Sequence, residues 1–222
     1  MRTLVHHPIS TLSRIIRLIM KEKHLEADER IEPYWMGQEH FLVLNPAGEV
    51  PVLVEEENVV ISGGYAIVEY LEEVYPEVPL VGSTSKARAE ARRLLHWFES
   101  KFNSEVTEFL SKEKLFKRLA KSEEPDSRAI RAGRQNIHAH LEYIAWLTDR
   151  RRWLAGDNLS VADLAAGAHI SLIDYTNDVP WEQHPLAKEW YARLKSRPCF
   201  RPLLGDVVMG ISPAPIYANL DF

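Results

Sequence analysis

A single cysteine, Cys199, stands in the 222 residues, so no disulfide can close within the chain. That scarcity fits a reducing compartment and points to the cytoplasm, and it removes any multi-thiolate metal site. Long apolar runs are missing too. Charge interrupts every hydrophobic stretch within a few residues, so the sequence offers no membrane-spanning helix. Nor is there a basic excess: 27 Lys and Arg face 32 Asp and Glu, a net charge of −5. Nothing pulls such a chain as a whole onto nucleic acid or an anionic membrane. Met1–His7, broken by His6, His7 and Pro8, does not read as a secretory leader. No internal repeat is visible. Nine histidines are present, but no His-Glu-x-x-His, and His138 and His140 point to different helix faces, so no metal is expected.

What is present changes character along the chain. Thr3–His6 is β-branched and apolar, and Pro8 ends it, which predicts a strand. From about Leu12 to Lys23 the period becomes helical, with Leu12, Ile15, Ile16, Ile19 and Met20 on one face. Ser10 and Ser13 are both candidate caps for that helix. Glu29–Glu32 reads as a second strand. The turn Asn45-Pro46-Ala47-Gly48 precedes a strand over Val50–Val54, and Glu55–Asn58 separates it from Val59–Ile61 as a hairpin loop would. Helical spacing returns with Ala66, Ile67, Tyr70, Leu71 and Val74. The order βαβ-ββα implies a parallel pair extended by antiparallel strands.

The Pro-, Gly- and Ser-rich stretch from Pro76 to Ser85 reads as the approach to a second domain, with 80–85 as the linker proper. Strand signals nearly vanish beyond it. Ala87, Ala91, Leu94, Leu95, Phe98 and Phe102 form one helical stripe, and Ile130, Ile137, Leu141 and Ile144 another. Leu159–Leu164 holds the clearest local signal: Ser160 and Asp163 at capping-box spacing, flanked by Leu159 and Leu164 as a hydrophobic staple. The division expected is an α/β domain over 1–79, the linker, an all-helical domain over 86–204 and an extension over 205–222.

Three features together resemble the cytosolic glutathione transferase superfamily: Ser10–Ser13 opening the first helix, Asn45–Leu53 with its Pro-x-Gly-x-Val-Pro core, and the Ser160–Asp163 cap. The resemblance implies a thioredoxin-like domain followed by a helical one, and a homodimer. It implies that Ser10 or Ser13 would stabilise a glutathione thiolate at the helix start. It also implies that a cis-proline after Val50, Pro51, would pair with the tripeptide backbone. The superfamily's acid and serine at the start of the third helix, which hold the γ-glutamyl end, are replaced here by Gly63 and Gly64, with Ser62 one position earlier. Charge-assisted hydrogen bonds contribute roughly 1.5–3 kcal/mol each, so that loss would weaken glutathione binding heavily.

The C-terminal segments narrow the resemblance. Asp178–Trp181, Trp190–Arg193, Ser196–Pro198 and Tyr217–Phe222 are similar to a bacterial branch of the superfamily associated with cell division, whose filament partner is the tubulin-like protein FtsZ. On that reading the chain is a non-catalytic adaptor; the alternative is a transferase conjugating glutathione to an unknown electrophile. Trp35, Tyr217, Asp221 and Phe222 are the candidate partner contacts, tryptophan being a common hot-spot residue. Pro213 and Pro215 exclude a regular helix in the extension, whose apolar content favours packing on its own domain.

Overall fold

In the computed structural model, residues 1–220 are described; Asp221 and Phe222 lie outside the described residues. The chain divides into two compact units, Met1–Pro79 and Leu80–Phe222.

The first unit runs β1 (Thr3–His6), α1 (Thr11–Glu22), β2 (Asp28–Ile31), a 3₁₀ turn (Tyr34–Met36), α2 (Glu39–Leu42), β3 (Val52–Val54), β4 (Val60–Ser62) and α3 (Gly64–Val74). The sheet order is β2-β1-β3-β4. β1 and β2 pair in parallel, as the helical crossover between them requires, and β3 lies antiparallel to both β1 and β4. This is the thioredoxin-like arrangement. α1 buries Ile15, Ile16, Leu18 and Ile19 completely. In α3 the buried face falls on Ile67, Val68 and Leu71; Ile67 and Leu71 belong to the expected stripe, whereas Ala66 and Val74, also expected there, are exposed. Val50 and Pro51, expected in a strand, precede β3 across a cis peptide bond.

The second unit is helical: α4 (Ser85–His96), a π-helical continuation (Trp97–Phe116), α5 (Lys117–Ala120), α6 (Ser127–Thr148), α7 (Val161–Tyr175), α8 (Pro185–Lys195) and the short α9 (Arg201–Leu204). In this continuation Phe98, Phe102, Val106 and Leu110 are all fully buried. α7 is buried on every side, as a central helix must be.

The stretch expected to be a linker is anchored within the second unit. Leu80 and Val81 are buried, the Leu80 carbonyl accepts the Val161 N–H at 2.8 Å, and Thr84 caps α4 through the Ala87 N–H. Pro- and Gly-rich composition marked an irregular segment, and irregular does not mean loose. Among the described residues no helix is long and apolar enough to cross a membrane.

Candidate functional site

The site expected from the sequence gathers around the C-terminal end of β1. His7 is its hub. The Ser10 N–H donates to the His7 carbonyl at 3.0 Å, and the His7 N–H donates to Ser13 Oγ at 3.3 Å. His7 Nδ1 accepts the Ile9 N–H at 3.3 Å, and the imidazole meets Trp35 edge-on with centroids 4.9 Å apart. Ser10 is the N-cap of α1, its Oγ accepting the Ser13 N–H at 3.2 Å while its hydroxyl donates to the Val50 carbonyl at 3.4 Å. Ser10 is half-buried and Ser13 fully buried. A thiolate therefore has access to Ser10 far more readily than to Ser13, whose oxygen is taken up by backbone.

The turn before Pro51 is built locally. Asn45 Nδ2 donates to the Glu49 carbonyl at 2.7 Å, and its Oδ1 accepts the Ala47 N–H at 3.2 Å. Gly48 adopts φ +66°, which glycine tolerates without a Cβ penalty. Val50 packs with Val5, Phe41 and Val52, and Tyr34 joins this cluster. Trp35, next to Tyr34, is half-buried with its ring against His7.

The third element departs from a glutathione site in a way the sequence only half reveals. Ser62 ends β4 half-buried, and Gly63 is exposed with φ +89°. Gly64 opens α3 without a side-chain cap. A Cβ on Gly64 would lie 2.5 Å from Leu12 Cδ2 and 3.1 Å from Leu12 Cβ. Leu12 of α1 thus fills the space that a serine at this position needs. Ser10 and the cis Val50–Pro51 bond suit glutathione, but the γ-glutamyl end finds neither acid nor hydroxyl at 63 and 64, and Leu12 bars the simplest repair. Positions 63 and 64 thus offer the γ-glutamyl end of the tripeptide no side-chain partner. No cluster of three or more metal-ligating side chains occurs among the described residues.

The C-terminal extension is fastened to the second unit. Tyr175, at the end of α7, is its receptor: its hydroxyl donates to the Ile211 carbonyl at 2.8 Å and accepts the Val208 N–H at 3.1 Å, and its own carbonyl accepts the Ala214 N–H at 2.9 Å. Lys195, wholly buried, donates to the Ile216 carbonyl at 3.2 Å and lies 3.5 Å from Asp174 Oδ2. Burial pushes the Lys195 ammonium down and the Asp174 carboxyl up, each opposed by the other's charge. Tyr217 corrects the sequence-based expectation: it is fully buried, stacks edge-on against Tyr175 at 5.0 Å and donates to the Leu203 carbonyl at 2.7 Å. It anchors the extension and presents no side chain to a partner. Leu220 is 41% exposed, just before Asp221 and Phe222, the two expected contacts outside the described residues.

With this geometry, the chain belongs to the glutathione S-transferase family. Residues 9–74 match the glutathione S-transferase N-terminal domain and residues 113–198 the C-terminal domain. A full-length relative is "FtsZ-localized protein A" of Caulobacter vibrioides, 50% identical over 224 residues, covering 100% of this chain and 98% of that protein. Two solved structures align over the whole chain. A glutathione S-transferase from Rhodospirillum rubrum F11 shares 58% identity at a TM-score of 0.99, each chain covered in full. FzlA from C. crescentus shares 50% identity at a TM-score of 0.97, covering 100% of this chain and 99% of that one.

Proposed function

We propose that this protein is a non-catalytic, cytoplasmic cell-division adaptor that binds FtsZ filaments as a homodimer. The observation that carries the reading is the 50% identity to FtsZ-localized protein A along the entire chain, extension included. The site chemistry supports it from the other side, because Gly63 and Gly64 supply neither acid nor hydroxyl for the γ-glutamyl end of glutathione, and Leu12 packs against Gly64. Candidate partner contacts are Trp35, which keeps part of its ring accessible beside His7, and the end of the chain at Asp221 and Phe222.

Co-pelleting of the purified protein with FtsZ polymerised in GTP tests this reading. Enrichment in the pellet with GTP and none without it is expected; no enrichment overturns the reading. Truncation after Gly205 is the wrong variant, since it strips Val208 and Tyr217 from the core. Ending the chain after Asn219 leaves those anchors in place and should abolish pelleting. Calorimetric titration with reduced glutathione addresses the transferase alternative, with no saturable heat expected at several millimolar.

A further inference from the structure

A groove of about 930 Å³ lies wholly within the second unit, between the end of the long helix, the loop after α5 and the C-terminal extension. Its apolar lining comes from Ile130, Ile211, Ala214 and Pro215. Its rim carries Lys114, Lys117, Arg118 and Lys121, a local concentration of positive charge on a chain whose net charge is −5. Two of these cations are already engaged. Lys114 reaches Asp178 at 2.5 Å, and Lys117 reaches Glu113 at 2.9 Å and Glu123 at 3.3 Å. Arg118 and Lys121 are exposed and have no acidic partner among the described residues.

We propose that this groove receives an extended acidic peptide from a protein partner, its carboxylates on Arg118 and Lys121 and an aliphatic side chain on the floor formed by Ile130, Ile211 and Pro215. The proposal rests on the reading of this chain as an interaction protein. Charge complementarity on the rim and apolar burial on the floor are the two ingredients such recognition needs. A nucleic acid suits the groove less well. Tyr175, its aromatic lining residue, is fully buried and offers no face for base stacking. Because Ile211–Pro215 form one wall, an occupant here would touch the same segment that Tyr175 and Lys195 hold in place.

The test is fluorescence anisotropy on the full chain, with a fluorescein-labelled peptide of about eight alternating glutamates and leucines as the probe. A lysine–leucine peptide and a single-stranded RNA of similar length serve as comparisons. Saturable binding of the acidic peptide alone is expected. It should weaken about tenfold or more in Arg118→Glu/Lys121→Glu and by a smaller factor in Arg118→Gln/Lys121→Gln. Both positions are exposed, so the helical fold should persist, and circular dichroism checks that. Equal affinity in the charge-reversed variant, no binding at all, or tighter binding of RNA overturns the proposal. Wild-type protein that binds the peptide through Arg118 and Lys121 yet fails to pellet with FtsZ would sink the filament reading and leave the groove standing.

Discussion

Two helix starts in this molecule are capped by serine, and they serve different ends. At α1, Ser10 takes one backbone N–H, remains half-buried and leaves the helix end open. At α7, Ser160 is joined by Asp163, whose carboxylate is fully buried and accepts four bonds: from the Leu154 N–H at 2.9 Å, the Ser160 N–H at 3.1 Å, the Ser160 hydroxyl at 2.9 Å and Trp190 Nε1 at 3.0 Å. The second cap ties a loop, a helix start and α8 into one knot. The first caps a single N–H at an open helix start, just before Leu12, which packs against Gly64.

The sharpest way to break this contrast is Asp163→Ala. It strands four donors in a dry core, each costing about 1–3 kcal/mol when unsatisfied. With partial relaxation, a loss of about 3–5 kcal/mol is expected, at the exceptional end for one substitution. Urea denaturation followed by tryptophan fluorescence measures it. A loss below about 1 kcal/mol would mean that water reaches the knot and that the two caps differ less than their burial indicates. At the other site, Gly64→Ser should cost about 1–3 kcal/mol by overpacking against Leu12. Leu12→Ala in the same chain should recover part of that loss, a coupling that a double-mutant cycle reads directly. If Gly64→Ser alone is neutral and binds glutathione in calorimetry, Leu12 is no barrier and the site is closer to a transferase than proposed.

Local chemistry was legible in the sequence wherever its partners were neighbours in the chain. The Ser160–Asp163 cap, the Asn45–Gly48 turn and the βαβ-ββα order all declare themselves within a few residues, and each is present in the structure. Contacts between distant segments were not legible. Nothing near Leu12 says that it will meet Gly64, so the loss of the γ-glutamyl partners could be read while its reinforcement could not. Tyr217 illustrates the same limit: an apolar extension must pack somewhere, but its receptor, Tyr175, sits at the end of a helix buried on all sides. Nothing in a periodic pattern marks one tyrosine there as special. The stripe from Ala87 to Phe102 was visible, whereas its continuation through Val106 and Leu110 gains meaning only once α6 and α7 are known to flank that helix.

Ser10→Ala gives a smaller effect at the open cap. Removing the N-cap oxygen leaves the Ser13 N–H without its partner, and about 1 kcal/mol of stability should go with it. Pelleting with FtsZ should be unchanged. A collapse of filament binding with stability intact would assign the hydroxyl a partner contact and set the α1 end apart from a simple cap.

The smallest expected effect asks whether the second unit is as firmly wired at its surface as at Asp163. Arg93 grips Glu90 through two bonds of 2.8 and 3.0 Å, and Arg151 adds a third at 2.7 Å. Those hydrogen bonds, Arg93 first, hold the Glu90 carboxyl down at about 2, below its ordinary value of 4.5. Since the unfolded chain takes up this proton first, the contribution is complete above about pH 4.5 and is lost as pH falls toward 2. Solvent screening limits it to roughly 0.5–1 kcal/mol. Urea midpoints of wild type and Glu90→Gln should therefore differ at pH 6, draw together below about pH 4.5 and converge as the pH approaches 2. A gap that stays constant with pH would mean that Glu90 contributes packing alone. The firm wiring would then be confined to the buried Asp163 knot, and the surface of the helical unit would resemble the loosely capped start of α1.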